Sequence, residues 1–239
     1  SWLSDDSRPH GQFRNLGTFY KQESTGTTLI GCEFFNAGQT YLLSGNLKFE
    51  GPASNESLIA ASEDTLLEFA HAFKSTQNAS ITSLNEVHFS SPLHPAEIRG
   101  KYSVKQNTIL SGKESVFHPE TDLVDIGQTL SVQKGKVYFN SEESVTPKNL
   151  LLTEKGQILG KDPIIVQDYF LWANGTSIGG EGMLHNLRRT EMARVDQTSE
   201  PRVLGNRLFV NSGELLWSAG DLITFEKAVI VNKIDSIFT

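Results

Sequence analysis

The residues best suited to binding an anion are arginines that follow a glycine-rich stretch. Residues 175–182 read Gly-Thr-Ser-Ile-Gly-Gly-Glu-Gly. The arginines that come next are Arg188, Arg189, Arg194, Arg202 and Arg207. A planar guanidinium matches a carboxylate or a phosphate, and glycine lets backbone N–H groups approach an anion. We therefore predict ligand binding through the loops around 174–207, with contacts from Arg188, Arg189 and Arg194.

A different interpretation of this segment is an ordinary charged surface. The acidic residues interleaved with the arginines are Glu181, Glu191, Asp196 and Glu200. Surface ion pairs with these acids would neutralise much of the positive charge and contribute little energy. No Lys-Ser or Lys-Thr follows the glycines, which excludes a phosphate-binding P-loop. The anion site and the charged surface stay open as alternatives.

The densest aromatic cluster lies just upstream, where Tyr169, Phe170 and Trp172 occur within four residues. Successive side chains of a β-strand point to opposite faces, so these rings cannot all enter one core. One face is then free to act as a binding platform, and we assign Trp172 to the predicted ligand contacts. Burial of both faces by packed layers is the alternative.

The spacing of the histidines does not match a metal-binding motif. The histidines are His10, His71, His88, His94, His118 and His185. None of them belongs to a His-x-His or His-Glu-x-x-His pattern, and the closest grouping is His88, His94 and Glu97. We therefore predict no metal and no cofactor.

A catalytic interpretation is available for His118, because acidic residues follow it. Glu120, Asp122 and Asp125 are close in sequence, and a carboxylate beside an imidazole can tune it as a general base. The same acids suit a solvated loop. The sequence leaves open whether the chain is an enzyme, and no residue is assigned as catalytic.

Composition limits the classes of partner. The formal net charge of -7 disfavours nucleic acid, which needs clustered lysine and arginine. No apolar run approaches the roughly 18 residues of a membrane span, so we predict no membrane insertion. The single cysteine, Cys32, excludes an intrachain disulfide and favours an intracellular location. Sequons at Asn55, Asn78 and Asn174 would suit a secreted protein instead.

The pattern over residues 62–74 is typical of an amphipathic helix. Leu66, Ala70 and Phe73 follow the i, i+4, i+7 spacing of one helical face. Ser62 is a suitable N-cap, and the first turn carries two acidic residues, as the helix dipole favours. We predict one principal helix over about 57–75.

The remainder of the chain alternates between apolar and polar residues in short runs, which predicts half-buried strands such as 149–154 and 157–160. The turns at 133–136, 154–157 and 211–214 predict hairpins. We therefore expect a mainly β fold, an antiparallel sandwich or barrel with one principal helix. No internal repeat is identified.

Residues 1–239 are predicted to form one β-rich domain. The alternative is a division into two β modules near 140–148, where a polar stretch carries an acidic pair and a proline.

The function predicted from these features is binding without catalysis. The module would recognise a protein, a glycan or a small anionic ligand, because no catalytic motif is present at diagnostic spacing. The first alternative is an enzyme of hydrolase, isomerase or cyclase type, with an acid–base pair in a β-barrel pocket. The second is an OB-like nucleic-acid-binding barrel in which Tyr169, Phe170 and Trp172 stack on bases.

Overall fold

The computed structural model shows a parallel β-solenoid, in which the chain winds around one axis and each turn stacks on the one before. The structure describes residues 11–195 and 199–239, and these residues form thirty β-strands and no helix. One sheet contains 11 strands stacked in chain order, so the solenoid has 11 coils. None of the described residues forms an apolar helix long enough to cross a bilayer.

The strands are short, and most contain four residues. The first ten are β1 Gln12–Asn15, β2 Thr18–Lys21, β3 Thr27–Ile30, β4 Glu33–Asn36, β5 Gln39–Leu42, β6 Asn46–Phe49, β7 Ala53–Asn55, β8 Leu58–Ala61, β9 Leu66–Phe69 and β10 Phe73–Ser75. The next ten are β11 Ser80–Ser83, β12 Glu86–Phe89, β13 Pro95–Val104, β14 Asn107–Leu110, β15 Glu114–Ile126, β16 Thr129–Val132, β17 Lys136–Phe139, β18 Asn149–Leu152, β19 Gln157–Gly160 and β20 Ile164–Val166. The last ten are β21 Tyr169–Ala173, β22 Ser177–Ile178, β23 Met183–Asn186, β24 Arg189–Ala193, β25 Arg202–Gly205, β26 Leu208–Asn211, β27 Glu214–Trp217, β28 Leu222–Phe225, β29 Val229–Asn232 and β30 Ile237–Phe238.

Each coil contributes to three faces, which meet at three corners. Face 1 is the stack that runs from β1 and β4 to β25 and β28. Face 2 contains β2, β5, β8 and β11, continues through the later parts of β13 and β15, and resumes with β20, β23, β26 and β29. Face 3 is the stack from β3 and β6 to β27 and β30. We number the coils 1 to 11, and each coil begins at its strand on face 1.

Period-2 alternation explains why these segments form strands. In β6, Leu47 and Phe49 are fully buried, whereas Asn46 and Lys48 point outward and are half-buried. The same alternation recurs on coil after coil, so every coil directs a few apolar side chains toward the axis. Parallel strands normally have both faces covered. Here the winding of the chain covers the inner face, and the outer face carries the polar residues.

Phenylalanine side chains stack along the axis in the N-terminal half. The ring centroids of Phe49 and Phe69 are 5.2 Å apart, and those of Phe69 and Phe89 are 5.3 Å apart. Neighbouring strands lie about 4.8 Å apart, so equivalent rings on consecutive coils fall within stacking distance. The core of these coils is therefore a continuous aromatic column.

Asparagine ladders hold two of the corners. Asn15 donates to Asn36 over 2.7 Å, and Asn36 donates to Asn55 over 2.8 Å, at the corner between faces 1 and 2. A second ladder stands at the corner between faces 2 and 3, where Asn186 donates to Asn211 over 3.0 Å and Asn211 to Asn232 over 2.8 Å. The two amides of each pair are 19 to 25 residues apart in sequence, which is about one coil.

The predicted helix over about 57–75 is wrong. The segment contains β8, β9 and β10, which lie on three successive sides of the solenoid. Leu67 and Phe69 are buried and Leu66 and Glu68 are half-buried, as in a strand. The i, i+4, i+7 spacing of Leu66, Ala70 and Phe73 arises because a corner separates two short strands. Four-residue strands with corners between them can reproduce a helical spacing by chance.

The predicted antiparallel sandwich or barrel is also wrong, because every strand pair is parallel. The predicted hairpins at 133–136, 154–157 and 211–214 are corners that carry the chain from one face to the next. Glu154 and Lys155 adopt positive φ values of 48° and 71° at such a corner. A corner and a hairpin share the same turn chemistry. The strand that follows a corner pairs with the equivalent strand of the previous coil, and not with the strand that precedes the corner.

The stretch 140–148 lies on coil 7, where face 2 is interrupted. A single bridge between Val145 and Ile164 replaces a strand there. Face 1 continues across it through the pairing of β17 with β19, and face 3 through the pairing of β16 with β18.

Candidate functional site

A groove on face 2 has an apolar floor and polar groups at its rim. Its volume is about 250 Å³. The residues that line it are Tyr41, Leu43, Ala60, Ala61, Ser62, Thr82, Ser83, Leu84, Ser103 and Lys105. We call it the face 2 groove. It runs along the solenoid axis from coil 2 to coil 5.

The groove exists because one outward position of face 2 changes in size from coil to coil. Tyr41 is in register with Ala60, and Ala60 with Thr82. Thr82 is in turn in register with Ser103. Small side chains on coils 3 to 5 therefore follow a large one on coil 2. The resulting depression is bounded along one side by Leu43 and Leu84, which are 43% and 49% exposed.

An aromatic platform extends the groove at its N-terminal end. Tyr20 and Tyr41 are in register on coils 1 and 2, and their rings stack with centroids 5.2 Å apart and an interplanar angle of 15°. Tyr20 is 55% exposed. The Tyr41 hydroxyl donates to the side-chain oxygen of Gln39 over 3.1 Å, which fixes the edge of the ring. Each ring covers part of one face of the other, and the Tyr41 ring also lines the groove.

Polar groups stand along the groove and at its far end. Thr82 and Ser103 supply hydroxyls along the floor. At the far end, Lys105 donates to Asp125 over 2.9 Å, and both side chains are partly exposed. The groove therefore combines apolar surface with a few hydrogen-bonding groups, which is the usual composition of a site for an uncharged or weakly charged ligand.

The predicted ligand contact Trp172 lies in the core. Its side chain is fully buried on face 3, where it stacks on Phe170 and meets Phe209 edge-on. Tyr169 and Leu171 point outward from the same strand. The aromatic cluster is thus divided between the interior and the surface. The buried rings do not form a stacking surface for bases, and the fold contains no OB-like barrel.

The predicted contacts Arg188, Arg189 and Arg194 are exposed. Arg188 donates to Asp168 over 2.9 Å, and Arg189 lies 3.7 Å and 3.8 Å from carboxylate oxygens of Glu191 and Glu214. Arg188 and Arg189 line an open depression on face 3 and its edge. They are therefore accessible to a ligand, although carboxylates of this chain already contact both of them. Arg194 lies beside residues 196–198, which are outside the described part of the chain and include Asp196.

The other two arginines of the segment, Arg202 and Arg207, point into the protein. Both are fully buried. Arg202 donates to the carbonyl oxygens of Trp172 and Ala193, each over 2.7 Å. Burial lowers the pKa of Arg202 to about 10, and the charge of Asp221 opposes this shift. The guanidinium stays charged at neutral pH and holds the backbone of two other coils.

Arg207 explains the glycine at position 182. Its Nη2 donates to the carbonyl oxygen of Gly160 over 2.8 Å, so the side chain passes Gly182 on the intervening coil. A Cβ atom at Gly182 would lie 2.9 Å from Nη2. Burial lowers the pKa of Arg207 to about 10, and the charge of Asp162 opposes this shift. The glycine leaves room for a buried arginine.

Asp162 is the buried carboxylate near Arg207. It accepts hydrogen bonds from the backbone N–H and the hydroxyl of Ser141 over 2.6 Å and 2.7 Å. The backbone N–H of Glu142 adds a third bond over 3.0 Å. Together Asp162 and Arg207 connect coils 7 to 10 at the corner beside the interruption of face 2.

The histidines are dispersed over the surface, except for one stacked pair. His71 and His94 stack with centroids 4.0 Å apart. Nδ1 of His118 lies 3.3 Å from Nη2 of Arg99, and Arg99 also pairs with Glu97. Burial lowers the pKa of His118, and the charge of Arg99 adds to that shift. His118 is therefore set beside a guanidinium, while the charges of Glu97 and Glu120 act on its pKa in the opposite direction.

The remaining histidines give no metal site. His88 and His185 each lie 2.7 Å from a serine hydroxyl. His10 lies outside the described residues. Across 11–195 and 199–239, no three residues of the metal-binding types are grouped closely enough to hold an ion.

The residues that sequence reasoning missed are Tyr20 and Tyr41. Each follows an aromatic or threonine residue in a four-residue strand, and the two tyrosines recur one coil apart. Asn15 and Asn36 recur at the same interval of 21 residues. Such a period was the signal that could have found the platform, because it places equivalent residues side by side.

Comparison with known proteins gives no relative. No family profile, no curated protein and no solved structure matches this chain.

Proposed function

We propose that this chain is a binding module whose face 2 groove holds an extended carbohydrate chain without acting on it. The observation that carries the proposal is the stacked pair Tyr20 and Tyr41, which opens into a groove with a floor of small residues. Sugar rings have an apolar face and a polar edge. A flat aromatic surface beside hydroxyl-bearing side chains suits both of these surfaces.

The direction of the groove favours a linear polymer over a compact ligand. Its positions repeat on every coil at about 4.8 Å, because they lie on consecutive parallel strands. A linear glycan also presents the same groups at regular intervals. Five coils, from the one with Tyr20 to the one with Ser103, would therefore offer a row of subsites at this spacing, two with a tyrosine and three with a small residue.

The test is calorimetric titration of the full chain with two linear hexasaccharides, neutral cellohexaose and acidic hexagalacturonate. We expect one of them to bind and Tyr41→Ala to weaken binding at least about tenfold, which corresponds to about 1.4 kcal/mol. Ala60→Trp, which fills the floor, should abolish binding while the melting temperature stays close to that of the parent.

The matched control is Tyr138→Ala. Tyr138 is an outward-facing, half-buried tyrosine on face 1, far from the groove. Its removal should leave binding unchanged. Equal losses for Tyr41→Ala and Tyr138→Ala, or no binding of either hexasaccharide by the parent chain, would contradict the proposal.

A second candidate is the anion site predicted at Arg188, Arg189 and Arg194. Their exposure supports it, and the carboxylates of Asp168, Glu191 and Glu214 weaken it. Replacing Arg188 and Arg189 together by Ala should leave thermal stability nearly unchanged, because exposed ion pairs contribute at most about 1 kcal/mol each. If hexagalacturonate binding falls in this double variant and not in Tyr41→Ala, the ligand lies at the arginines.

A further inference from the structure

We propose that Ser111 is an activated nucleophile, that His88 is its general base, and that Glu68 supports His88 by its charge. The site lies on the outer surface of face 3 and is separate from the face 2 groove. Its substrates would be small activated esters, and its reaction would be acyl transfer to Ser111 followed by hydrolysis.

The geometry places the three residues on consecutive coils. Ser111 Oγ lies 2.7 Å from His88 Nε2, which is hydrogen-bond distance. His88 is in register with Glu68 on the neighbouring strand of face 3. Glu68 in turn accepts a hydrogen bond from the Ser90 hydroxyl over 2.6 Å. A hydroxyl within hydrogen-bond distance of an imidazole is the pair that activates serine. Glu68, which also lies 3.5 Å from Lys48 Nζ, acts on His88 through its charge and not through a hydrogen bond.

The electrostatic surroundings keep His88 in the form that can accept a proton. Burial lowers the pKa of His88, so the imidazole is neutral near pH 7. The charges of Glu68 and Glu86 raise the pKa, and that of Lys48 lowers it. These three groups are the charged neighbours that act on His88. Glu68 and Glu86 therefore favour the imidazolium that forms when the serine proton is transferred.

The reaction balances with water as the only further reactant. Ser111 Oγ attacks the carbonyl carbon of the ester as its proton moves to His88 Nε2. The bond to the leaving alcohol then breaks, and the alcohol takes the proton from His88. Water repeats the sequence on the acyl-serine, which releases the acid and restores the hydroxyl of Ser111.

The backbone near Ser111 limits the expected rate. The N–H groups of Ser111 and Gly112 both donate to the carbonyl oxygen of Phe89 over 3.0 Å, so neither is available to a developing oxyanion. Donors of that kind typically contribute about 10²–10³-fold to the rate. We therefore expect selective labelling and slow turnover, and the sensitive measurement is covalent capture.

The chain contains a second serine–histidine pair that serves as an internal control. Ser212 Oγ lies 2.7 Å from His185 Nε2, the same distance as in the first pair. The charge that acts on His185 among the described residues is that of Lys233, which lowers its pKa further. This pair has the nucleophile and the base and no neighbouring carboxylate contribution.

The experiment is labelling of the full chain with a fluorophosphonate probe, followed by peptide mass spectrometry. Ser111 Oγ would displace fluoride from phosphorus, with its proton passing to His88. We expect Ser111 to react at least about tenfold faster than Ser212, and His88→Gln to slow the labelling of Ser111 by about 10²-fold. His185→Gln should leave the labelling of Ser111 unchanged.

Glu68→Gln tests the positioning role separately. Removing this negative charge should lower the pKa of His88, so the rise of labelling rate with pH should shift to lower pH. Unfolding by urea checks that each variant remains folded. Labelling that does not distinguish Ser111 from Ser212, or that His88→Gln leaves unchanged in a folded protein, would overturn the proposal. Because no variant touches the face 2 groove, the result is independent of glycan binding.

Discussion

Coils 2–4 and coils 8–10 stabilise their corners with different sets of side chains. Both regions must satisfy polar backbone at tight corners next to an apolar core. The earlier coils use neutral asparagines and a column of phenylalanines. The later coils keep the ladder of Asn186 and Asn211 at another corner and in addition bury the charged side chains of Asp162, Arg202 and Arg207. A neutral ladder repeats locally from coil to coil, whereas a buried arginine reaches the backbone of another coil.

This difference shows how one fold accommodates irregular coils. Face 2 is interrupted on coil 7, and β24 ends at Ala193 whereas β25 begins only at Arg202. Ladder bonds require equivalent residues on neighbouring coils, and an insertion breaks that equivalence. Arg207 passes one coil and Arg202 contacts two others, so their long side chains tie coils that differ in length. The cost is the desolvation of their charges.

The sharpest test of this comparison is Asp162→Ala. It removes a carboxylate that accepts three hydrogen bonds and opposes the desolvation of Arg207. We expect a loss of about 3 kcal/mol in the free energy of unfolding, measured in urea, because three hydrogen-bond donors lose their acceptor and the charge that acts on Arg207 is removed. The surface variant Asp168→Ala should lose less than about 1 kcal/mol. A double variant with Arg207→Met should recover part of the loss, and failure to recover any would refute the coupling.

The ladder of the earlier coils should be the next most sensitive feature. Asn36 accepts from Asn15 and Thr40 and donates to Asn55 and the carbonyl oxygen of Leu58. Asn36→Ala leaves these buried groups without partners, and we expect a loss of about 3 kcal/mol in urea unfolding.

The control for the ladder is Asn232→Ala, at the exposed end of the second ladder. It should cost less than about 1 kcal/mol, because water can replace its partners. Equal losses at Asn36 and Asn232 would show that burial does not determine the strength of the ladder.

Gly182→Ala should cause a smaller loss of stability. This substitution tests the close contact between Gly182 and the side chain of Arg207. The added Cβ would lie 2.9 Å from Arg207 Nη2 and even closer to the carbonyl oxygen of Asp162, and the backbone atom cannot move as freely as a side-chain end. We expect a loss of about 2 kcal/mol in thermal or urea unfolding. Gly31→Ala, where no atom lies within 4 Å of the new Cβ, should be nearly neutral. A neutral Gly182→Ala would contradict the close packing of Gly182 against both the backbone of Asp162 and the side chain of Arg207.

The sequence was sufficient to locate strands but not to pair them. The predicted strands 149–154 and 157–160 match β18 and β19 closely. Alternation shows which residues face inward, and it is the same whether the neighbouring strand is parallel or antiparallel. Pairing is set by the corner, and a corner of a solenoid uses the same glycine and polar residues as a hairpin. The helix over about 57–75 failed for a related reason, since β8 to β10 are too short to show a sustained period.

The candidate sites were less accessible from the sequence than the strands. Clustering of arginines and glycines indicated a ligand segment, yet Arg207 and Gly182 belong to one structural contact. An arginine can point inward only where another coil leaves space for it. A local sequence pattern carries no information about that space. Tyr20 and Tyr41 form a platform only because their coils are in register.

The most direct test of the account is a distance measurement between pairs of spin labels on face 3. With Cys32 replaced by Ser, cysteines at Thr27 and Thr129, or at Thr27 and Arg189, occupy equivalent outward positions five and eight coils apart. At about 4.8 Å per coil, the backbone separations should be about 24 Å and about 38 Å. Double electron–electron resonance should give distances between the two labels that increase in this proportion. Distances that do not increase with the number of intervening coils would contradict the parallel solenoid and every site built on it.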